Sequence, residues 1–313
     1  MKPIKISIII VSWNTKGLLA DCLDSLISLS NNLEIQGQGM QTVVVDNNSS
    51  DGTVEMLQEA YPWVELLDKK ENLGFPAGNN VGFEQGKGEY LLMLNPDTIV
   101  HDNAIEKLIA YLDSHPNVGA VGARLLNPDG SLQESCYPKP TLGREFWRLF
   151  HMDKLLPHGV YDMNDWSTSE PREVDVIMGA CILTRNSIMN TVGGLDEEFF
   201  MYSEEVDLCY RMQGSGWEIH WHPEALVTHL GGQSTKLVKT EMFLRLYESK
   251  LLYFNKNHGR KAAKLYKIIL FLSSLPRLVL IPLSWFSKSH NRRVSMKSLA
   301  SQYWQLIQRL PQM

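Results

Sequence analysis

Short apolar runs and amphipathic stretches alternate along the first part of the chain. Each apolar run is rich in β-branched residues, which predicts a buried strand. Each amphipathic stretch repeats its apolar residues at a spacing of three and four, which predicts a helix with one buried face. The alternation predicts an α/β fold with a doubly wound, mainly parallel sheet and helices on both faces. The predicted strands are 6–11, 42–45 and 89–94, and the predicted helices are 18–28, 51–60 and 103–114.

Residues 249–313 differ from the rest of the chain in charge. They contain 12 Lys or Arg and no Asp or Glu, although the whole chain has a net charge of −5. Within this tail, 268–286 is apolar apart from serines and Arg277, and Pro276 and Pro282 interrupt it. A membrane-spanning helix needs ~20 predominantly apolar residues, and proline breaks its hydrogen-bond ladder. We therefore expect the segment to lie in, or dip into, the cytoplasmic leaflet.

Two interpretations of this basic, apolar helical tail remain open. In the first, Trp285 and the flanking cations hold the tail on an anionic membrane surface. In the second, the tail forms helices that pack on the main domain or on another subunit, as in a homo-oligomer. An amphipathic helix is predicted over 240–257, at the start of this basic region, and the apolar segment 268–286 follows it. The flanking cations are Lys264, Lys267, Lys288, Arg292 and Arg293.

The composition excludes several classes of protein. With 313 residues, 44% of them hydrophobic, the chain suffices for one large domain or a domain with an appendage. The four cysteines form no CxxC pair, which is typical of a reducing compartment and argues against structural zinc. The N-terminus lacks a cleavage site of small residues, so the first apolar run is predicted to be a strand and not a signal peptide. The acidic main domain has no basic face with interleaved aromatic residues, so no nucleic acid is expected as a partner.

Phosphate binding by a glycine-rich loop is not predicted. The first strand ends in VSWNT at 11–15, and neither GxGxxG nor GxxxxGK[ST] follows it. Instead, Asn95-Pro96-Asp97 presents a carboxylate just beyond the strand 89–94. A carboxylate at that edge is able to ligate Mg²⁺ or Mn²⁺, which keep open positions for diphosphate oxygens. The alternative is that Asp97 caps a following helix.

A second group of carboxylates comprises Glu204, Glu205 and Asp207. Asp207 and Arg211 are separated by four positions, so they are predicted to form an ion pair on one helix face. The alternative for the whole group is a solvated, acidic helix start, because Asp and Glu favour helix N-termini.

An ordered set of motifs resembles family 2 glycosyltransferases with the GT-A fold, in particular their rhamnosyltransferase-like group. The resemblance runs from Ile6 to about His258. The motifs are SIIIVSWNT at 7–15, VVVDNNSSDGT at 43–53, ENLGFPAGNN at 71–80, LNPD at 94–97, GACILTR at 179–185, GGLDEEFFMYSEEVDLCYR at 193–211 and VTHLGGQST at 227–235.

The resemblance assigns residues to the binding of a nucleotide-diphosphate sugar donor. Asp97 matches the last aspartate of the family's DxD metal element, and His229 matches a histidine that completes metal or diphosphate binding. Asn95 stands where DxD begins, so one charge fewer is expected to weaken the affinity for the Mn²⁺ or Mg²⁺ cofactor. The remaining residues that the resemblance places near the donor are Ser12, Thr15, Asp46, Asn72, Gly74, Phe75 and Gly179. Alternatives from the residues alone are an Asx turn at Asp46, a hydrogen-bonded core histidine at His229 and close packing at Gly179.

The resemblance also implies the chemistry. Glu205 matches the general base of an inverting transfer, in which the acceptor hydroxyl attacks the anomeric carbon in one displacement. The family usually has Asp at this position, so Glu204 is expected to share the role if the longer side chain does not fit. Asp207 is expected to support the acceptor loop or to serve as scaffolding with Arg211.

The expected protein is an inverting, metal-dependent glycosyltransferase of cell-surface polysaccharide synthesis. Its leading donor is dTDP-rhamnose, followed by UDP-sugars, and its acceptor is a glycan or a polyprenyl-linked glycan. It is expected to be cytoplasmic and peripheral at the inner face of the plasma membrane. The predicted organisation is a catalytic domain over 1–235, with a donor half 1–100 and an acceptor half 101–235, a bridging helix over 236–260 and the tail over 261–313.

Two alternatives from other classes stay open. A sugar-phosphate nucleotidyltransferase is able to use the same sheet and metal, but it needs a basic phosphate-binding loop, and here Lys16 is the one cation in that loop. A catalytically silent GT-A scaffold or binding protein is consistent with the departures at Asn95 and Glu205.

Overall fold

The computed structural model forms two compact units. The first comprises 1–139, 162–200 and 204–237, and the second comprises 140–161, 201–203 and 238–313. Residues 140–161, which the prediction placed in the catalytic domain, therefore group with the C-terminal helices. The predicted boundary at residue 235 lies outside the described residues. The structure describes residues 3–35, 39–156, 158–231, 239–280 and 290–313.

A nine-stranded sheet forms the centre of the first unit. The spatial order is β3-β2-β1-β4-β10-β6-β11-β5, and β8 pairs with β11. The strands β1 to β4 run parallel, as do β6 and β11, whereas β10 is antiparallel to both of its neighbours. The remaining two strands, β7 and β9, form a separate antiparallel pair. The strands are β1 Ile4–Ser12, β2 Gly39–Asp46, β3 Glu65–Asp68, β4 Tyr90–Leu94, β5 Thr98–Val100, β6 Val118–Leu126, β7 Cys136–Tyr137, β8 Arg172–Glu173, β9 Val176–Ile177, β10 Cys181–Arg185 and β11 Glu218–His229.

The helices confirm most of the predicted pattern. The predicted helix 18–28 is divided at Leu26 into two helices, and the predicted helix 240–257 forms the first part of a longer one. The helices are α1 Lys16–Ser25, α2 Ile27–Ile35, α3 Thr53–Ala60, α4 Phe75–Gln85, α5 Ala104–Ser114, α6 Leu142–Leu149, α7 Asn186–Val192, α8 Glu204–Gly214, α9 Lys239–Leu280 and α10 His290–Arg309.

The core explains why the central strands are continuously apolar. β1 lies inside the sheet between β2 and β4, and its residues from Ile6 to Ser12 are all buried, so both of its faces are covered. Ile8, Ile9 and Ile10 are fully buried, as is Leu92 on β4. Because β1, β2 and β4 are parallel, their carboxyl ends meet at one edge of the sheet, where α/β proteins collect their ligands.

The second unit is helical. Gly259, with a φ of 82°, interrupts α9, and across this break the rings of Phe254 and Tyr266 lie 4.7 Å apart. The helix continues through Pro276, where the sequence predicted a break. Among the described residues, no helix is long and apolar enough to cross a membrane.

A buried carboxylate holds the second unit together. Glu145 accepts hydrogen bonds from Arg148 at 2.8 Å, from Lys250 at 2.9 and 3.0 Å and from the Tyr266 hydroxyl at 3.1 Å. Burial alone raises the pKa of a carboxyl group, but the charges of Lys250 and Arg148 outweigh it and lower the pKa of Glu145 to about 2. The ionised form is therefore strongly favoured in the folded protein.

We expect Glu145→Gln to lower the free energy of unfolding at neutral pH by about 3 kcal/mol, because it removes the charge that Lys250 and Arg148 neutralise. The folded pKa is depressed, so this stability is present above the ordinary pKa of 4.5 and is lost as the pH falls through about 2. Urea unfolding of both proteins at several pH values measures the difference. Glu241→Gln is the control: Glu241 also has arginine partners, but it is 40% exposed, so it should cost less than about 1 kcal/mol.

Candidate functional site

The loops after β1 and β2 form one side of the sheet edge. Ser12 is in register with Asp46, and the Asn47 amide donates to the Ser12 carbonyl at 2.8 Å. The hydroxyls of Ser12 and Thr15 lie 2.9 Å apart and are buried. The predicted donor residues Ser12, Thr15 and Asp46 are thus brought together at the ends of two neighbouring strands.

Asp46 is buried and has one oxygen to spare. Its Oδ2 accepts a hydrogen bond from the Ser49 amide at 2.8 Å, as in the turn proposed as its alternative role. Its Oδ1 is buried and has no hydrogen-bond partner among the described residues. Because an unsatisfied buried acceptor costs stability, this oxygen is ready to accept an N–H or O–H from a ligand.

The loop before α4 is held in place by its own polar groups. Asn72 Oδ1 accepts from the Gly74 amide at 2.9 Å, and Asn47 donates to the Gly74 carbonyl at 3.0 Å. The Phe75 amide donates to the Phe200 carbonyl at 2.9 Å. Gly74 has a φ of 83°, and a Cβ there would lie 2.7 Å from the Phe200 carbonyl oxygen. This position therefore requires glycine for both its conformation and its close approach.

We expect Gly74→Ala to lower the free energy of unfolding by about 2–4 kcal/mol, because the new Cβ adds a clash with Phe200 to the backbone strain. Gly130→Ala is the matched control: Gly130 has a φ of 81° but no atom within 4 Å of its Cβ position. It should cost only about 1 kcal/mol. Thermal and urea unfolding compare the two variants, and equal losses would contradict the close approach.

Asp97 and His229 lie side by side at the other side of the same edge. After β4 the chain turns at Pro96 and enters β5, whose Thr98 pairs with His229 at the end of β11. Asp97 Oδ1 and His229 Nε2 are 3.3 Å apart, and both residues are buried. Asp97 does not cap a helix, as the alternative proposed, because a strand follows it and α5 begins only at Ala104.

Gln133 orients the imidazole of His229. Its Oε1 lies 2.7 Å from His229 Nδ1, and its Nε2 donates to the His229 carbonyl at 3.1 Å. An amide oxygen only accepts, so Nδ1 is the nitrogen that donates to Gln133 and Nε2 is the one that faces Asp97. Gln133 was not among the site residues predicted from the sequence. It belongs to no recognised motif and reaches His229 only through the fold.

These groups fit a divalent cation. A carboxylate oxygen and an imidazole nitrogen 3.3 Å apart are two atoms that one divalent cation is able to bind at the same time. Asn95 Nδ2 lies 3.4 Å from the same nitrogen, while Asn95 Oδ1 is buried without a hydrogen-bond partner in the described part of the chain. A 180° rotation of the amide would present that oxygen as a further ligand. Within the described ranges, no three His, Cys, Asp or Glu residues cluster as a metal site, so such a set depends on an amide.

The acidic cluster opens α8. Tyr202 and Ser203 adopt left-handed backbone conformations, with φ of 69° and 66°, directly before the helix begins at Glu204. Glu204 and Asp207 are buried, so the solvated helix start considered as an alternative is wrong. Burial, followed by the charge of Glu205, raises the pKa of Glu204 well above its ordinary value. Glu204 therefore keeps its proton to a higher pH than an exposed glutamate does.

The predicted ion pair between Asp207 and Arg211 is confirmed. Asp207 Oδ2 accepts from Arg211 Nε at 2.7 Å. The same guanidinium donates to the carbonyls of Val192 and Gly194 at 2.6 and 2.8 Å. Asp207 thus anchors α8 to the end of α7, which is a scaffolding arrangement.

Gly179 brings the two halves of the site together. A Cβ built on it would lie 3.5 Å from Met93 Cε, 3.7 Å from Glu205 Cβ and 3.8 Å from Phe75 Cε1. The next residue, Ala180, accepts a hydrogen bond from the Asn95 amide at 2.9 Å. Glu205 therefore lies beside the residues that the sequence assigned to the donor, and their side chains surround Gly179 at van der Waals distance.

Comparisons with known proteins agree with this geometry. Residues 7–160 match the model of glycosyl transferase family 2. An N-acetylglucosaminyl-diphospho-decaprenol L-rhamnosyltransferase of Mycobacterium tuberculosis (strain ATCC 25618 / H37Rv) is 33% identical over 215 residues, which cover 63% of this chain and 68% of that protein. The chain belongs to glycosyltransferase family 2. The predicted glycosyltransferase class is confirmed, and the nucleotidyltransferase alternative is not supported.

A second relative and a solved structure are also similar to this glycosyltransferase. Rhamnosyltransferase WbbL of Escherichia coli (strain K12) is 23% identical over 255 residues, 76% of this chain and 93% of that protein. The structure of mannosyltransferase PcManGT from Pyrobaculum calidifontis, in complex with GDP-Man and Mn²⁺, superposes with a TM-score of 0.57 at 15% identity. That match covers 97% of this chain and 85% of the mannosyltransferase. The predicted GT-A fold is confirmed.

Proposed function

We propose that this glycosyltransferase transfers rhamnose, with inversion, from dTDP-rhamnose to a glycan on a polyprenyl diphosphate carrier. The observation that carries the proposal is the sheet edge itself. At this edge lie Asp46, whose Oδ1 is buried without a hydrogen-bond partner among the described residues, and the Asp97–His229 pair. The chain is also 33% identical to a rhamnosyltransferase that acts on a lipid-linked sugar. Such a product serves the synthesis of a cell-surface polysaccharide.

In this proposal the loops at the sheet edge bind the donor. Asp46 Oδ1 accepts a hydrogen bond from the base or the ribose, and Ser12 and Thr15 flank it with hydroxyls. The loop from Asn72 through Gly74 to Phe75 borders the sugar and diphosphate, where glycine permits close approach of the backbone. Gly179, between Phe75 and Glu205, is proposed to border the transferred sugar.

Asp97, His229 and Asn95 are the residues proposed to hold Mn²⁺ or Mg²⁺. A divalent ion, when bound, neutralises the charge that develops on the leaving diphosphate. Nitrogen from His229 suits Mn²⁺ better than Mg²⁺. Gln133 keeps the proton on His229 Nδ1, so Nε2 remains available as a ligand.

Glu205 is proposed as the general base. It removes the proton from the acceptor hydroxyl as the oxygen attacks the anomeric carbon, opposite the leaving diphosphate. The neighbouring Glu204 keeps its proton to a higher pH than an exposed glutamate does, which disfavours Glu204 itself as the base. Asp207 acts through Arg211 by fixing α8 and has no contact with the substrate.

The catalytic domain corresponds to the first unit. The helices α9 and α10 are proposed to bring the enzyme to the cytoplasmic face of a membrane, where a polyprenyl-linked acceptor resides. A peripheral location follows from this acceptor, because the carrier's chain stays in the bilayer while its glycan extends into water.

Donor binding is tested by thermal unfolding with dTDP, UDP or GDP, each with and without Mn²⁺. A ligand at a hundred times its dissociation constant adds ~2.7 kcal/mol of stability, which raises the melting temperature measurably. We expect dTDP with Mn²⁺ to stabilise the protein most. If UDP stabilises the protein most, the donor is a UDP-sugar. If no nucleotide changes the melting temperature, the result supports the silent-scaffold alternative.

A further inference from the structure

The second half of α9, from Arg260 to Leu280, has a buried face within its own unit. Tyr266 and Ser274 are fully buried, and Leu270 and Ser273 are each 1% exposed. The buried residues of this face recur every three to four positions, as expected for a helix packed along one side. The unit's own packing therefore accounts for one side of the helix only.

A second face of the same helix is apolar and exposed. It consists of five residues spaced by three or four positions, so they form one row about 21 Å long. Their exposures range from 39% to 72%, and Phe271 beside them is 42% exposed. An apolar row of this length on a soluble protein marks a binding surface. We call this row the α9 stripe; it comprises Leu265, Ile268, Leu272, Leu275 and Val279.

Cations continue the α9 stripe at its N-terminal end. Lys261 and Lys264 are exposed and lie one helical turn before Leu265 and Ile268. Beside them is a cavity of about 610 Å³, lined by several basic residues and by Leu251, Leu252 and Ala263. The basic lining residues are Arg260, Lys264, Lys267 and Arg309.

The charges around this cavity are largely unneutralised. Its one acidic lining residue, Glu248, pairs with Arg309 at 3.6 Å. Within the described ranges, no carboxylate lies within ion-pair distance of Arg260, Lys264 or Lys267. The sequence adds no compensating charge, because residues 249–313 contain no Asp or Glu.

We propose that the α9 stripe and the basic cavity beside it form a docking surface for an anionic phospholipid bilayer. Leu, Ile, Phe and Val side chains enter the boundary between headgroups and acyl chains, with the helix lying in the plane of the membrane. Lys261 and Lys264 reach the headgroups with their stems along the apolar surface. The cavity takes a lipid phosphate. Charge complementarity selects the occupant: the charged residues beside the stripe are predominantly basic, as an anionic membrane requires.

The inference rests on the membrane attachment proposed above, for which it names the surface, and it is independent of the nucleotide donor. It concerns the second unit alone, whereas donor binding involves residues of the first. Loss of membrane binding with retained nucleotide stabilisation is therefore distinguishable from failure of the proposed function.

The test is sedimentation of the full-length protein with vesicles, using the double variant Ile268→Glu/Leu272→Glu. We expect the wild type to bind vesicles of phosphatidylcholine with phosphatidylglycerol, and to bind pure phosphatidylcholine vesicles at least tenfold more weakly. The double variant should bind anionic vesicles more than ~100-fold more weakly, because it replaces two inserted apolar residues by charges. Ile27→Glu is the control: Ile27 is 47% exposed on α2, outside the stripe, and should leave binding unchanged.

The electrostatic part is tested with Lys261→Gln and Lys264→Gln, each expected to weaken binding about fivefold in low salt and less in high salt. Light scattering of all variants measures their oligomeric state, which tests whether the stripe binds a second copy of the chain instead of a membrane. Equal vesicle binding by the wild type and the double variant would overturn the proposal. So would a wild-type dimer that the double variant converts to a monomer without any vesicle binding, since the stripe would then be an interface between two copies. Thermal unfolding with nucleotide confirms that each variant is folded.

Discussion

Glu205→Gln is expected to lower the kcat of sugar transfer by about 10³-fold while leaving nucleotide binding unchanged. The amide has the size of the carboxylate but does not accept the acceptor's proton. The side chain begins beside Gly179 and Phe75. Because Gln has the same size as Glu, we expect these donor-side residues to keep their positions. Steady-state kinetics give kcat, and the dTDP-induced shift in melting temperature reports donor binding separately.

Glu204→Gln is the matched control at the neighbouring position. The pKa of Glu204 is raised by burial and by the charge of Glu205, so the folded protein favours the neutral, protonated form of this side chain. Gln preserves that neutral state, and we expect kcat to change less than about threefold. The opposite result, with Glu204→Gln inactive and Glu205→Gln active, would assign the base to Glu204. Full activity in both variants would exclude both carboxylates.

The pH dependence of stability provides a second check on this pair. A raised folded pKa means that the folded protein binds a proton that the unfolded chain has released above its ordinary pKa of 4.5. Glu204 therefore destabilises the wild type increasingly as the pH rises above 4.5, until its folded pKa is reached. Glu204→Gln removes this loss, so the variant should gain stability relative to the wild type at alkaline pH.

The sequence predicted the parts of the fold and site that local pattern determines. The strands around Ile8 and Leu92 are buried on both faces, so their sequences are continuously apolar and easily recognised. Parallel pairing of those strands then brings Ser12, Asp46 and Asp97 to one edge. Where the pattern left two possibilities, as for Asp97, the choice depended on whether a helix or a strand followed.

Features that depend on distant contacts were not predictable in the same way. Gln133 follows β6, and its amide donates to the carbonyl of Leu125 on that strand. Because β6 is the neighbour of β11, Gln133 comes to lie beside His229, which follows it by 96 positions. The burial of Glu204 and Asp207 likewise comes from packing around α8, since their sequence is equally typical of an exposed helix start. Residues 140–161 group with the C-terminal helices partly through Glu145, whose partners Lys250 and Tyr266 follow more than a hundred positions later.

Asp97→Asn is expected to lower kcat/KM by about 10³-fold and to abolish the stabilisation by dTDP that depends on Mn²⁺. Asp97 is the carboxylate that faces His229 Nε2, at 3.3 Å, and an amide in its place carries no charge to attract a cation. Gln133→Ala should have a smaller effect, about 10- to 100-fold in Mn²⁺ affinity, because it frees the imidazole without removing a ligand. Titration of Mn²⁺ followed by melting temperature measures both. An Asp97→Asn protein that retains Mn²⁺-dependent stabilisation would contradict the metal assignment.

Asn95→Asp tests the same assignment in the opposite direction. The added carboxylate lies beside His229, where Asn95 Nδ2 is now 3.4 Å from Nε2, and it restores the charge that a DxD element would have. We expect Mn²⁺ to bind about tenfold more tightly, because affinity for hard cations rises with the number of charged ligands. Without metal, two carboxylates would repel each other in a buried site, so the metal-free variant should melt below the wild type. The Mn²⁺-dependent increase in melting temperature should therefore be larger in Asn95→Asp than in the wild type. An unchanged increase would mean that Asn95 lies outside the coordination sphere and that Asp97 and His229 bind the cation without it.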